Sequence, residues 1–245
     1  MSNYLTPNWP APKNVKAFTT KRAGGVSNAP YDSFDLATHT GDNLKDVLTN
    51  RKKLSLELNL PTEPFWLKQE HTATVIHLTP NINLSEPIAD AAFATSPNLV
   101  CVTLTADCVP ILLCDRDGTI VAAIHAGWKG IASGIIEATA KAMNSNPTKL
   151  LAWFGPAIGP NAFETGDDVR KIFIKHDSNA HKAFVTHNDR FLANIYLLAS
   201  QRLNNMGITA IYGGEYCTFT QKELFFSFRR DGINSGRMAS LIWLT

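Results

Sequence analysis

Thr105-Ala-Asp-Cys-Val-Pro-Ile-Leu-Leu-Cys114 is followed by Asp115-Arg-Asp-Gly118, and then by Thr119-Ile-Val-Ala-Ala-Ile-His125-Ala-Gly-Trp-Lys-Gly130. An apolar run, a turn-forming tetrapeptide and a second apolar run predict a β-hairpin. With the turn centred between Arg116 and Asp117, Cys108 faces His125 across the hairpin, their Cβ atoms about 4.5–5.5 Å apart. Moving the centre by one residue leaves them a diagonal pair on the same face. A thiol and an imidazole at that separation make half of a metal site or a nucleophile–base dyad. The competing reading is an inert buried cysteine beside a strand-end histidine. Two features favour chemistry. Cys108 lies between Asp107 and Pro110, where a loop enters a strand. His125 leads through Ala-Gly-Trp-Lys-Gly into a helix, and strand-to-helix turns commonly carry sites.

The chain has 245 residues, 44% of them hydrophobic, which is an ordinary globular composition. Its net charge is +2 with both signs interspersed. No Lys/Arg cluster marks a nucleic-acid surface, and no apolar run approaches the ~18 residues of a membrane helix. Neither nucleic acid nor membrane is therefore expected as a partner. Met1 to Pro10 lacks the charged and apolar segments of a secretory leader. Cys101, Cys108, Cys114 and Cys217 show neither CxxC spacing nor a disulfide framework, so a reducing, cytoplasmic location is expected.

Elsewhere Val15–Thr20 reads as a strand leading into Lys21-Arg-Ala-Gly-Gly25. Asp42 or Asn43 caps a helix with apolar positions Leu44, Val47, Leu48, Leu54 and Leu58. Strands are expected at 65–67, 74–78, 99–104, 150–154, 208–212, 224–228 and 238–244. Helices are expected at 131–143, 168–176 and 191–206, with Gly207 suited to the position after the last helix. Strands and helices mix without a strict βαβ rhythm. The expectation is one α/β (α+β) domain over residues 1–245, a mixed β-sheet with flanking helices.

His71 sits in a short loop between apolar segments and gains value only if it converges with Cys108 and His125. Two His and one Cys would leave the open fourth position of a catalytic zinc. His39, ahead of a helix N-terminus, is a turn residue or a proton donor at a pocket rim. Arg22, Lys129 and Arg229 are candidate anion ligands, although such residues are usually solvated. P-loop and Gly-x-Gly-x-x-Gly motifs are absent.

The chain resembles the YfiH-type family, also called laccase-domain or peptidoglycan-editing factor-like proteins. The resemblance runs through Thr19-Thr-Lys-Arg-Ala-Gly-Gly-Val-Ser27, Pro30-Tyr-Asp-Ser33, His39, Gly41-Asp-Asn43 and Gln69-Glu-His71. It continues through Thr105–Pro110, His125–Gly130, Gly155-Pro-Ala-Ile-Gly-Pro160, Phe226-Ser-Phe-Arg-Arg-Asp231 and Gly236-Arg-Met-Ala239. It implies a YfiH-like fold and metal ligands at His71, Cys108 and His125. Beside it, the candidate catalytic residues are Cys108, His125, Asp107 and His39, and the candidate substrate or phosphate contacts are Arg22, Lys129, Arg229 and Gln69. Lys129 stands where the family more often has Arg, losing the planar fork. Glu70 replaces a commoner small apolar residue.

Three activities compete within that resemblance. A multi-copper oxidase needs on the order of ten His, whereas this chain has seven and no His-x-His pair. Copper could still occupy one Cys/His site in vitro. A zinc-dependent purine nucleoside enzyme fits better. Its reactions would be phosphorolysis of adenosine, inosine and S-methyl-5′-thioadenosine, and deamination of adenosine with Asp107 as acid/base. Its partners would be a nucleoside and phosphate, acting on a monomer or weak homo-oligomer. The His-x-Glu…Pro-Cys-x-x-Cys signature of nucleobase deaminases is absent. Without metal, Cys108–His125 would be the dyad of a hydrolase editing peptidoglycan precursors. A binding protein with a closed, structural metal is the non-catalytic alternative.

Overall fold

A computed structural model describes residues 3–82 and 85–245. In chain order its elements begin with β1 (Tyr4–Leu5), β2 (Val15–Thr20), α1 (Leu44–Glu57), β3 (Val75–Leu78), β4 (Ala91–Ala94) and β5 (Cys101–Thr105). The hairpin β6 (Val109–Asp115) and β7 (Val121–Ala126) leads into α2 (Trp128–Ser133), α3 (Ile135–Met143) and β8 (Leu150–Phe154). Then come β9 (Glu164–Thr165), α4 (Asp167–His176), β10 (Phe184–His187), β11 (Arg190–Ala193) and α5 (Ile195–Asn205). β12 (Ala210–Gly213), α6 (Phe228–Asp231) and β13 (Met238–Leu244) close the series.

The fold is mixed α/β, as expected, but its strands divide among three sheets. The central sheet runs β12-β8-β6-β7-β4-β3, with parallel pairs at its two edges and antiparallel pairs between. A four-stranded antiparallel sheet runs β1-β2-β13-β5, and a small one runs β10-β11-β9. The unbroken apolar character of β6 and β7 follows from burial on both faces. Ile111, Leu113, Ala122 and Ile124 pack under α2, α3 and α5. Leu112, Cys114, Val121 and Ala123 pack toward the four-stranded sheet, against Cys101 of β5 and Ile242 of β13. By the two-residue strand period, Cys108 and His125 share the second face, so the site lies where the two sheets meet.

Several expectations shift. Asn43 caps α1, its side chain accepting from the Lys45 amide. The buried face of α1 is Val47, Asn50, Arg51 and Leu54, while Leu44 and Leu48 are exposed. Asn50 is taken inward because its amide donates to Ser27 and to the Ser33 and Asp35 carbonyls, bonds that repay its burial. The helix expected over 131–143 starts at Trp128 and breaks at Gly134, whose φ of 89° is left-handed. The helix expected from residue 191 starts at Ile195, because residues 190–193 pair as β11 with β10. Gly207 follows α5 with φ 85°. The stretch 65–67 makes an isolated bridge at Phe65, and 224–228 is no strand but the approach to α6. All four cysteines are free, and among the described residues no helix is long and apolar enough to cross a membrane.

Candidate metal centre and its cavity

The hairpin register pairs Val109 with Ala126 and Pro110 with His125. The turn is therefore centred one residue later than the directly facing arrangement requires. Cys108 falls opposite Gly127 and diagonal to His125. The pair still converges because position 127 has no side chain. A Cβ there would lie 2.8 Å from Cys108 Sγ and 2.6 Å from His71 Cδ2.

His71 arrives from the loop ahead of β3. Its Nε2 is 3.6 Å from Cys108 Sγ, and its ring meets the His125 ring edge-on at 4.7 Å. The ligand atoms of His71, Cys108 and His125 all lie within 4.8 Å of one another. Tetrahedral zinc, with Zn–S about 2.3 Å and Zn–N about 2.0–2.1 Å, puts sulfur and nitrogen about 3.6 Å apart. The donor set and spacing thus fit zinc, with a fourth position left to face the cavity. Among the described residues this is the one cluster of its kind.

Asp90, absent from the sequence reading, holds the triad together. It is fully buried at the start of β4. His125 Nδ1 donates to its Oδ1 at 2.7 Å, and the His71 amide donates to the same oxygen at 3.0 Å. The Thr72 amide and hydroxyl donate to Oδ2 at 2.6 and 2.8 Å. One carboxylate therefore fixes the His125 tautomer, leaving Nε2 for Cys108 or a metal, and holds His71 at its left-handed φ of 60°. Burial opposes the Asp90 charge, but the His125 and Thr72 hydrogen bonds prevail and hold its pKa at about 2. Burial likewise opposes ionisation of Cys108, yet the His125 and His71 imidazoles pull the thiol well below its ordinary pKa. Burial alone would lower the pKa of His125, but the facing thiolate and Asp90 raise it instead. The only clue to Asp90 was a lone acid in Ile88-Ala-Asp-Ala-Ala-Phe-Ala94.

The triad opens into a cavity of about 390 Å³. Trp128, Ile158, Phe163, Ile195 and Phe228 form its apolar walls, and His39, Lys129, Arg229 and Arg237 its basic ones. His39 stands at the rim, where partial burial and then the Arg237 charge lower its pKa. Asp107 is the carboxylate on the wall. It has φ 95°, its Oδ1 accepts from Thr218 Oγ1 at 2.5 Å, and its Oδ2 accepts from the Arg229 amide at 2.6 Å. Gln69 lines the cavity too, and its amide clamps the loop to β5 by donating to Leu104 O and accepting from Leu104 N.

Arg22 is not brought here. Its guanidinium donates to the Asp32 and Lys222 carbonyls, pairs with Asp32 at 3.3 Å and lies over the Phe226 ring. It borders a separate surface cavity with Lys222 and Arg230. Those bonds to the turn at residue 32 and the loop at 222 hold it away from the triad. Arg237 lines the triad cavity instead. In the sequence Arg237 stands out only as part of Gly236-Arg-Met-Ala239, where nothing local marks a task for it.

The family profile described as multi-copper polyphenol oxidoreductase laccase matches residues 16–245. The chain is 50% identical over 244 residues to "Purine nucleoside phosphorylase YfiH" of Escherichia coli strain K12, covering all of both proteins. It is 50% identical over 242 residues to "Purine nucleoside phosphorylase" of Haemophilus influenzae, covering 98% of each. Among solved structures, a Neisseria meningitidis protein aligns with TM-score 0.95 and 44% identity over 99% of both chains. YlmD from Geobacillus stearothermophilus aligns with TM-score 0.91 and 26% identity, over 99% of this chain and 96% of its own. The chain belongs to this laccase-like, YfiH-type family.

Proposed function

We propose that this member of the family is a zinc-dependent purine nucleoside phosphorylase working at the His71–Cys108–His125 cavity. One observation carries the reading: an open His-Cys-His set faces a cavity with aromatic walls and several cations. The names of full-length relatives at 50% identity point the same way. Trp128 and Phe163 suit the flat faces of a purine. Lys129, Arg229 and Arg237 supply the positive field for phosphate. In phosphorolysis the bond from C1′ to the purine nitrogen breaks, a phosphate oxygen bonds to C1′, and the purine leaves with a proton. His39, at the rim, would hydrogen-bond the departing base. Zinc, when bound, would supply a Lewis acid able to polarise an oxygen and lower the pKa of water.

The proposed substrates are adenosine, inosine and S-methyl-5′-thioadenosine. Deamination of adenosine is proposed for the same cavity, with Asp107 carrying the proton. The site is proposed to work in a reducing cytoplasm, which keeps Cys108 free. Multi-copper oxidase chemistry is disfavoured by ligand arithmetic, since three ligands cannot hold a blue copper and a trinuclear cluster.

The test pairs elemental analysis of protein purified without added metal with turnover of adenosine plus phosphate before and after chelation. About one zinc per chain, with activity lost on chelation and restored by zinc, is expected. The lowered pKa of Cys108 favours one rival, a Cys–His hydrolase. Metal-free activity, indifferent to chelator and abolished by thiol alkylation, would establish it instead.

A further inference from the structure

We propose that Thr105 and Arg237 form the subsite that grips a phosphate group in this cavity, with Asp35 as the positioning residue behind Arg237. The proposal rests on the phosphorylase reading for phosphate being a co-substrate, and it names the side chains that bind it.

Thr105 ends β5 and is 1% exposed. It lines the cavity, and its hydroxyl has no hydrogen-bond partner among the described residues. A buried hydroxyl without a partner costs free energy that a valine of the same shape avoids. Such a group in a cavity wall calls for a ligand. Thr105 pairs with Met238 in the β5–β13 register, so Arg237 follows directly on that pairing and lines the same wall.

Arg237 is held in place before any ligand arrives. Its amide donates to Asp35 Oδ1 at 2.9 Å. Its Nη1 donates to the Ser235 and Gly236 carbonyls at 2.5 and 3.1 Å. The guanidinium carbon lies 5.5 Å from the centre of the Phe228 ring. Its Nε and Nη2 donate to none of the described residues, which leaves one edge of the fork unspent. A guanidinium edge pairs with two oxygens of a tetrahedral phosphate, and a hydroxyl can serve a third. Asp35 is itself fully buried and fixed by the Ala37 amide and the Thr40 hydroxyl. It therefore sets where Arg237 leaves the backbone.

The other cations on the cavity are less prepared. Lys129 and Arg229 are exposed, and Arg229 spends Nη1 on the Glu164 carbonyl. They steer an anion inward, while Thr105 and Arg237 hold it. The held group could be free phosphate or the 5′-phosphate of a nucleotide, and the test separates the two.

The experiment measures KM for phosphate and for adenosine in wild type, Thr105→Val, Arg237→Lys and Asp35→Asn. Calorimetric titrations with inorganic phosphate and with adenosine 5′-monophosphate accompany it. Thr105→Val is expected to raise the phosphate KM about tenfold and Arg237→Lys more, with the adenosine KM within about threefold of wild type. Asp35→Asn should raise the phosphate KM while kcat at saturating phosphate is retained, which a merely structural defect would not produce. An unchanged phosphate KM in Thr105→Val and Arg237→Lys overturns the proposal and leaves the phosphorylase reading standing. If wild type shows no phosphate-dependent cleavage, that reading fails and calorimetry decides the subsite. Inorganic phosphate binding lost in both variants then supports it, and binding retained in both overturns it. Dependence on both residues for the monophosphate alone would assign the subsite to a nucleotide's 5′-phosphate and overturn the free-phosphate version.

Discussion

The support behind the His71–Cys108–His125 triad and the cavity wall at Thr105 differ in how their polar groups are spent. On the Asp90 side every bond is made: one buried carboxylate takes donors from His125, His71 and Thr72. On the Thr105 side a buried hydroxyl and one edge of a guanidinium have no partner among the described residues. A saturated carboxylate has nothing left to give a ligand, so its task is geometry. An unsaturated wall keeps hydrogen-bonding capacity in reserve. The contrast separates residues that hold the triad from residues proposed to meet the substrate: Asp90 lies behind the cavity lining, whereas Thr105 and Arg237 are part of it.

The comparison breaks most readily at the triad. Cys108→Ala should abolish stoichiometric zinc and lower kcat/KM by more than about a hundredfold, beyond the effect of losing a residue that only hydrogen-bonds a ligand, with the far-ultraviolet circular dichroism unchanged. Retained turnover in that variant would remove every catalytic reading given above. Gly127→Ala comes next. Its methyl would sit 2.6 Å from His71 Cδ2 and 2.8 Å from Cys108 Sγ, so zinc content should fall sharply while the hairpin still pairs. Asp90→Asn tests the saturated support behind the triad. Zinc affinity should drop about 10–100-fold, read by competition with a chromogenic chelator.

The same carboxylate predicts an acid limb in the stability of the metal-free protein. The folded pKa of Asp90 is about 2, below the ~3.9 of an unfolded aspartate. Its contribution, of order 2–3 kcal/mol, is fully present above pH ~4 and is lost as pH falls through about 2. Urea midpoints measured between pH 5 and pH 2 should decline less steeply in Asp90→Asn than in wild type. The smallest effect belongs to Arg22→Ala. That side chain lies outside the cavity, so activity should stay within about twofold, with roughly 1 kcal/mol lost from its ion pair and ring contact. A larger fall in activity would mean that Arg22 reaches the substrate after all.

How much of this could be read from the residues follows the range of the interaction. The Cys108–His125 pairing was legible because a short turn links the two strands, and a one-residue error in the turn left the residues on the same face. The β13 strand and the capped α1 were legible from local pattern. The partners of His71 were not, since nothing local ties it to Cys108 37 residues away. The family likeness, not spacing, named it as a ligand. Asp90 was invisible because its donors lie 18 to 35 residues distant. Leu44 and Leu48 misled because helical spacing defines a stripe without saying which neighbours will cover it, and Asn50 and Arg51 are buried in their stead beside Val47 and Leu54. Arg22 misled because a cation in a glycine-rich turn looks available for anions until its bonds to backbone carbonyls are seen.

β13 lies between β2 and β5, so Ser240 pairs with Thr19 across 221 residues of chain. A ribosome adding about 5–20 residues per second leaves β2 and β5 without the strand between them for on the order of ten seconds or more after β2 is made. Arg237 and the far wall of the cavity arrive with that strand. The triad and its Asp90 support, built from residues 71 to 127, can be assembled while the wall proposed to hold the substrate is still being synthesised.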